Sequence, residues 1–228
     1  MDTYRRFNQL VRQLAMLPGQ GTQLGDLSAA HRLPKQGVYF FYESGEVTES
    51  TPGQPRVVRV GTHAVSKGSR STLHQRLRAH RGTQAGGGNH RGSIFRLHLG
   101  HALQARLQLT LRNWGVGSTA SREIRDVEHE HEERVSKIIC AMPVLWIAVE
   151  DEAGPASERA VIERGAIATL SNGLSPFQRP SAGWLGNDSL RDEIRRSGLW
   201  NLNHTRAVPN AEFLEKMEAA IERTSRAR

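Results

Sequence analysis

The chain has 228 residues, a formal net charge of +8 and a hydrophobic content of 37%, which together favour a folded domain and exclude global disorder. Its single cysteine, Cys140, excludes a disulfide framework. No apolar run approaches the roughly 18 residues of a membrane-spanning helix. We therefore expect a soluble, cytoplasmic protein without a membrane role, whose positive charge suits an acidic partner such as nucleic acid.

The N-terminal part of the chain predicts one packing helix followed by a linker. Between residues 2 and 17, apolar side chains recur at spacings of three and four, which is the period of an amphipathic helix. Pro18-Gly19-Gln20-Gly21 ends this pattern, and a polar linker then reaches Leu33. Residues 1–32 are thus expected to form an N-terminal helical extension.

Two short apolar segments predict the first strands of a sheet. Gly37 to Tyr42 is rich in aromatic residues, and Arg56 to Gly61 is rich in β-branched ones. Because they are close in the chain, we expect them to pair as an antiparallel hairpin across a polar loop from Glu43 to Pro55. Strand alternation puts Tyr39 and Phe40 on opposite faces of this sheet.

The next predicted helix carries an arginine and a histidine four residues apart. Ser69 or Ser71 can cap its start, and Gly82 can end it with a left-handed backbone. Arg76 and His80 lie together at the edge of the inward stripe, where both can reach one ligand. The alternative interpretation is a solvated basic helix.

Residues 50–122, which we call the acid-free segment, contain twelve Lys and Arg residues and no Asp or Glu. Such segregation of charge is typical of a surface that attracts a polyanion. Five glycines between Gly82 and Gly92 predict a mobile loop that orders on a phosphate backbone. The residues expected to contact nucleic acid are Lys67, Arg70, Arg78, Arg81, His90 and Arg91.

Two more helices are predicted before the last strand. Ser93 caps the first, which adds further basic residues, and Ser121 begins the second. In His129-Glu130-His131-Glu132, two histidines two residues apart point about 200° apart on a helix, so a solvated acidic face is favoured over a shared metal ion. The inward stripe of the second helix is predicted to be Ile124, Val127, His131, Val135 and Ile138.

A central strand and a helix with a carboxylate on its apolar face complete the predicted core. Pro143 to Val149 is continuously apolar, as is typical of a central strand. In the following helix, Glu163 falls on the inward face, where a carboxylate is costly unless it is compensated. The compensation is either a metal ion or a salt bridge with Arg76 or Arg159.

Four motifs thus occur in a fixed order. They are Gly37 to Tyr42, Val57-Val58-Arg59-Val60-Gly61, Arg76-Leu77-Arg78-Ala79-His80, and the helix from Ala160 to Ile167. In this order they resemble the GIY-YIG nuclease superfamily, in particular its restriction-type and stand-alone bacterial endonucleases. The resemblance covers about residues 33–173.

The resemblance implies an α/β (α+β) fold, with a small, mostly antiparallel three-stranded sheet flanked by helices. The nuclease-like domain would span residues 33–173 with a helical insertion at about 92–142. Helical extensions would precede it and follow it, the second at residues 174–228.

The resemblance also implies metal-dependent hydrolysis of DNA, with a restriction or defence role and a double-stranded substrate. Tyr39, Arg76, His80 and Glu163 would be catalytic, with Glu163 as a ligand of Mg²⁺ or Mn²⁺. Arg76 would hold the scissile phosphate, and His80 would bind the phosphate or polarise Tyr39. Tyr39 would be the general base, and His63, which lies two residues past Gly61, is a further candidate for that role.

Two positions bear on this expectation. Arg59 stands where the second motif of the family begins with tyrosine, so it either contacts DNA or marks an altered activity. Asn172 corresponds to an asparagine that the family carries after its glutamate helix, and otherwise it caps that helix.

The alternative function is a catalytically silent nucleic-acid-binding module. A homodimer would place one active site at each strand of a palindromic DNA sequence, because its two-fold symmetry matches that of the palindrome.

Overall fold

The structure is a computed structural model that describes residues 2–48, 53–173 and 178–226. The helices of this part are α1 (Asp2–Ala15), α2 (Leu73–Arg81), α3 (Ile94–Leu107), α4 (Arg122–Cys140), α5 (Glu158–Leu170), α6 (Asp192–Ser197) and α7 (Glu212–Arg226). The strands are β1 (Thr22–Gln23), β2 (Gly37–Val47), β3 (Pro55–Gly61) and β4 (Pro143–Ala148). None of the helices in the described ranges is long and apolar enough to cross a membrane.

The strands form one antiparallel sheet in the order β1-β4-β2-β3. The predicted β2–β3 hairpin is present, with Tyr39 opposite Gly61. β4 is a central strand as predicted, with Trp146 on the other side of Tyr39. The prediction of three strands was wrong, because β1 adds a fourth. With only two residues, Thr22–Gln23 is too short to show the alternation that identifies a strand.

β2 is longer than predicted and takes up part of the expected polar loop. It continues to Val47, and its pairing with β3 shifts in register after Phe41 and again after Tyr42. Such irregularities bend a strand and redirect its side chains. One result is that Glu46, expected in a solvated loop, is buried.

The sheet separates two hydrophobic layers, as the alternation in β2 predicts. Val38 and Phe40 pack with apolar residues of α1, α5 and α7. Tyr39 and Phe41 pack with apolar residues of α2, α3 and α4. The terminal helices α1 and α7 therefore bury their apolar faces in the same core as the sheet, where each large side chain stabilises the fold by roughly 1.5–3 kcal/mol.

After α6, the chain runs along the outer edge of β3. The Trp200 N–H donates to the Val58 carbonyl (2.8 Å), and the Asn201 side chain bonds both the N–H and the carbonyl of Val60 (3.1 and 2.8 Å). β3 is an edge strand, so this segment covers backbone groups that would otherwise be open to another chain. As a result, the residues that follow Trp200 lie at the end of β3.

α2 and α4 differ from prediction in their cap and in their inward face. Thr72 caps α2 instead of Ser69 or Ser71. Val127 of α4 is 67% exposed, whereas Glu128 and Glu132, expected on a solvated acidic face, are buried. Both carboxylates pair with cations that are distant in sequence. The spacing of apolar residues along a helix carries no information about such pairs.

Acidic residues from outside the acid-free segment neutralise much of its charge. Arg96 pairs with Glu132 (2.5 Å), and four other arginines of the segment also form ion pairs. These pairs are Arg56–Glu46, Arg91–Glu128, Arg106–Asp188 and Arg122–Asp126. The positive field is therefore smaller than the sequence suggests.

The glycine-rich loop packs against a buried arginine. A Cβ at Gly88 would lie 2.0 Å from Nη2 of Arg96, and the Thr83 N–H donates to the Gly87 carbonyl (2.7 Å). Glycine at position 88 is thus needed for close approach to the guanidinium. These contacts hold the loop against α3, and its ordering on a phosphate backbone stays a prediction.

The buried ion pair between Glu46 and Arg56 should carry a large share of the stability. Its side chains are 4% and 0% exposed, and Arg56 also donates to the Gly198 carbonyl. Truncating one partner leaves a buried charge uncompensated, so Glu46→Ala should lower the free energy of unfolding by about 3–5 kcal/mol in urea titrations. The exposed pair of Glu222 with Arg226 is the control, since Glu222→Ala should cost under about 1 kcal/mol. Equal losses in the two variants would contradict this prediction.

Candidate active site

A cavity of about 260 Å³ lies beside the end of β3, where the two helical layers meet. Arg59 of β3, Arg76 of α2 and Glu163 of α5 line it, although they are far apart in sequence. Thr62, directly after β3, forms part of the wall. The structure thus brings together three of the residues predicted from the sequence.

Glu163 is held from one side and has a free second oxygen. Its Oε1 accepts a hydrogen bond from the Thr62 N–H (3.1 Å). Burial raises the pKa of this carboxyl, while Arg59, the Thr62 N–H and Arg76 act in the opposite direction. Within the described ranges Glu163 forms no ion pair, and Arg159 pairs instead with Asp151 (2.9 Å). The geometry therefore does not provide the salt bridge that was the alternative to a metal ligand.

Tyr39 lies one layer behind the cavity wall. Its side chain is fully buried, and its hydroxyl lies 2.7 Å from Nε2 of His80. A Cβ at Gly61 would lie 2.3 Å from this hydroxyl, so glycine is required for the phenol ring to lie against β3. The Arg59 guanidinium interacts with both Tyr39 and Glu163 and so links the phenol to the cavity.

His80 belongs to α2, and its side chain is fully buried. The prediction that it lies at the edge of the apolar face was wrong. Its Nδ1 lies 2.7 Å from Oγ of Ser93. Burial, together with the charges of Arg59, Arg76 and Arg96, lowers the pKa of His80 well below its usual value of 6.5. His80 is therefore a neutral imidazole that contacts Tyr39 and lies away from the cavity where a phosphate would bind.

The two arginines of the cavity differ in how firmly they are held. Arg59 donates to the Trp200 carbonyl (2.5 Å), and its guanidinium lies 4.7 Å from the ring centroid of Phe95. Nε of Arg76 is buried and has no hydrogen-bond partner among the described residues. A buried unpaired donor costs about 1–3 kcal/mol, and an anion bound in the cavity would remove that cost. Arg76 is thus the better placed of the two to bind a phosphate.

His63 and Asn172 have structural partners instead of a place in the cavity. Nε2 of His63 accepts from the Gly37 N–H (3.3 Å), and its Nδ1–H donates to the Ser71 carbonyl (2.9 Å). Both ring nitrogens are occupied, which leaves His63 without a free nitrogen to serve as the base. The side chain of Asn172 bonds the backbone of Gln178 and thereby ties together the chain that follows α5.

The predicted nucleic-acid contacts divide into free and occupied side chains. Among the described residues, no ion pair is formed by the exposed Lys67, Arg70 and Arg78. In contrast, His90 is buried and stacks on Trp114 at 3.9 Å. Arg91 pairs with Glu128 (2.6 Å), and Arg81 donates to the Leu27 carbonyl (3.0 Å). The free cations lie on α2 and on the turn before it.

Sequence reasoning missed several residues of the cavity wall. His98 of α3 was placed only in the general basic field, yet it lines the cavity with both ring nitrogens buried and unpartnered among the described residues. Five of the other missed residues follow α6, and no sequence signal marks them, because they reach the cavity only through the pairing of this segment with β3. They are Trp200, Asn201, Leu202, Asn203 and His204.

Stability should fall on acidification because two buried histidines are neutral. Burial lowers the pKa values of His63 and His98 to about 4, from the ordinary histidine value of about 6.5. Between these values the unfolded chain binds more protons, so the free energy of unfolding should decrease as pH falls from about 6.5 to 4. His98→Phe should flatten this decrease in urea titrations at several pH values. The exposed His74→Gln serves as the control, and an unchanged pH dependence in His98→Phe would contradict the assignment.

Comparison with known proteins gives one match. A family model described as a GIY-YIG domain matches residues 1–227. No curated protein matches the chain, and no solved structure does. The match includes α1 and α7, which lie beyond the region of residues 33–173 where the motifs are found. Because it covers nearly the whole length of the protein, the chain belongs to the GIY-YIG family.

Proposed function

We propose that this protein is a metal-dependent endonuclease that hydrolyses DNA phosphodiester bonds. Proteins with a GIY-YIG domain are generally endonucleases, which supports a nuclease activity here. The observation that carries the proposal is the convergence of Arg76, Arg59 and Glu163 in one cavity, with the Tyr39–His80 pair directly behind it. These groups provide an anion-binding cation, a carboxylate and a proton acceptor.

Glu163 fits a divalent metal ion. Only its Oε1 accepts a hydrogen bond from the described residues, so Oε2 can bind a cation. Mg²⁺ commonly keeps several waters and uses only one or two carboxylates, so a single glutamate is a sufficient protein ligand. Mn²⁺ accepts the same oxygen donors. When bound, the ion would act as a Lewis acid toward a phosphoryl oxygen.

The side chains of the cavity have distinct proposed roles. Arg76 holds the scissile phosphate with its planar fork of donors and neutralises charge as the phosphate is attacked. Tyr39 accepts the proton of the attacking water. Arg59, which interacts with both Tyr39 and Glu163, places a positive charge beside these groups at the position where the family carries its second tyrosine.

The second candidate function is a catalytically silent nucleic-acid-binding module. It is favoured by the complete burial of Tyr39 behind Arg59, since a general base must come within hydrogen-bond reach of water. Catalysis by Tyr39 therefore requires a local rearrangement that admits water to the phenol oxygen. A binding module requires no such movement.

Affinity for DNA should fall steeply as salt increases. Lys67, Arg70 and Arg78 are exposed cations of the acid-free segment, and each phosphate contact releases a condensed counterion. Each contact adds roughly 0.9 to the slope of log K against log salt, so Arg70→Gln and Arg78→Gln should each reduce the slope by about one. Fluorescence anisotropy with a labelled duplex measures this. A flat dependence in the wild type would contradict phosphate-dominated binding.

Incubation with supercoiled plasmid tests the proposed activity directly. Nicked or linear DNA should form with Mg²⁺ or Mn²⁺ and should not form with EDTA. Discrete fragments from a linear genome would support a restriction or defence role, and a smear would oppose it. Cleavage of both strands at one site favours a homodimer, which light scattering of the protein on DNA would detect. Binding without any cleavage would favour the silent module.

A further inference from the structure

His98 differs from the other buried histidines of the described chain in its hydrogen bonding. It is 6% exposed, and neither of its ring nitrogens has a hydrogen-bond partner among the described residues. Each of the other four has a partner for at least one ring nitrogen, and these are His63, His80, His90 and His131. A buried polar group without a hydrogen bond is costly, so packing alone does not account for a histidine at position 98.

His98 of α3 lies in the wall of the same cavity as Arg59, Arg76 and Glu163. Nε of Arg59 and Nε of Arg76 are also buried without a hydrogen-bond partner in the part of the chain that the structure describes. Three side chains of one wall therefore have nitrogen donors that the described residues leave unused. With His98 neutral, two guanidinium charges and one carboxylate give these four residues a net charge of +1, which matches the single negative charge of a phosphodiester.

The His98 ring can serve as a hydrogen-bond donor without adding charge. At neutral pH it is uncharged, because burial and the nearby His101, Arg191 and Arg59 lower its pKa to about 4. A neutral imidazole still has one N–H donor beside its acceptor nitrogen. The χ2 torsion of histidine is broad, and no hydrogen bond to a described residue holds this ring. The ring can therefore turn its N–H toward the cavity at little cost.

We infer that His98 is a further phosphate-binding residue of this cavity, whose ring N–H donates to a non-bridging oxygen of the phosphodiester that Arg76 holds. The ligand is a phosphodiester of a nucleic acid chain, because the net charge of the wall fits its single charge better than the higher charge of inorganic phosphate at neutral pH. The inference rests on the proposed function for the identity of this ligand. Its test requires binding only, without cleavage.

Titration of the full chain with small phosphates in EDTA tests the contact by nuclear magnetic resonance. The probes are thymidylyl-thymidine, which contains a phosphodiester, thymidine, which does not, and inorganic phosphate. The His98 ring signals are those that disappear in His98→Gln. We expect these signals to shift saturably with thymidylyl-thymidine, to stay in place with thymidine, and to respond to inorganic phosphate only at higher concentration. No shift with thymidylyl-thymidine, an equal shift with thymidine, or tighter binding of inorganic phosphate overturns the inference.

Substitution separates a phosphate contact from a structural role. A hydrogen bond to a charged group corresponds to roughly 10- to 100-fold in affinity, so His98→Phe should weaken the binding of thymidylyl-thymidine by that factor. His98→Gln keeps an N–H donor and should recover most of the affinity. His101→Gln is the matched control, because His101 lies three residues further along α3 and outside this cavity wall, and it should bind like the wild type. Wild-type affinity in folded His98→Phe overturns the inference.

The outcomes also separate this inference from the proposed nuclease. Binding that depends on His98, without plasmid cleavage by the wild type, supports the phosphate contact and contradicts the nuclease. Plasmid cleavage by the wild type, with unchanged thymidylyl-thymidine affinity in His98→Phe, supports the nuclease and overturns the contact. If His98→Phe does not fold, the shifts of the His98 signals in the wild type decide.

Discussion

Replacing Glu163 with glutamine should abolish DNA cleavage and leave DNA binding intact or tighter. Glutamine keeps an oxygen that can accept the Thr62 N–H, so the cavity wall is preserved. It removes the negative charge that a divalent cation needs. Loss of metal charge from the transition state is worth several kcal/mol, or roughly 10³-fold in rate. Binding should not weaken, because the carboxylate repels phosphate in the absence of a cation.

Plasmid nicking with Mg²⁺ and duplex binding with EDTA measure the two effects separately. Glu158→Gln is the matched control, since Glu158 begins the same helix and pairs with Arg223 at its exposed end. That variant should cleave like the wild type. Wild-type cleavage by Glu163→Gln would refute the assignment of Glu163 as the metal ligand. Unfolding of Glu163→Gln would show that the carboxylate has a structural role instead.

Tyr39→Phe should reduce cleavage by about 10²- to 10⁴-fold, the range typical of a general base. The substitution deletes only the hydroxyl and leaves a ring of the same shape against Phe41 and Gly61. The substitution leaves a buried ring nitrogen of His80 without its partner, which should cost about 1–3 kcal/mol of stability and is less than the roughly 5–15 kcal/mol that holds a typical domain folded. Single-turnover cleavage with saturating protein separates this effect from binding.

Tyr42→Phe is the control for the loss of a tyrosine hydroxyl. Tyr42 follows on the same strand but packs in the opposite hydrophobic layer, away from the cavity. It should cleave at the wild-type rate. Cleavage by Tyr39→Phe within tenfold of the wild type would rule out Tyr39 as the base. The ring nitrogens of His63 are already occupied. That result would therefore leave the cavity without any of the general bases that the sequence predicted.

Local patterns in the sequence predicted the elements that local forces control. The alternation in β2 placed Tyr39 and Phe40 on opposite faces, and both hydrophobic layers follow from it. Ser93 and Ser121 cap α3 and α4 as predicted, because a cap depends only on residues within one helical turn. The motif order also led to the family that the match over residues 1–227 shows.

Tertiary structure decided the electrostatics, because ion pairs join residues that no spacing relates. The acid-free segment appears strongly cationic in sequence, yet Glu46 and Glu132 lie inside the fold against Arg56 and Arg96. The same reason explains the inward face of α4. A prediction of the inward face of α4 from apolar residues alone places all its carboxylates in solvent. The fold instead buries those carboxylates that form ion pairs with Arg91 and Arg96.

The sequence by itself predicted which side chains would carry the proposed chemistry, and the tertiary structure decided which of them meet. Arg76 and Glu163 come from helices in opposite layers, and the fold brings them together in one cavity with Arg59 of β3. Trp200 completes that cavity through backbone hydrogen bonds along β3, and backbone bonds leave no trace in residue type. His80 lies inward, where its ring nitrogens contact Tyr39 and Ser93, and its helical spacing reveals neither of these partners.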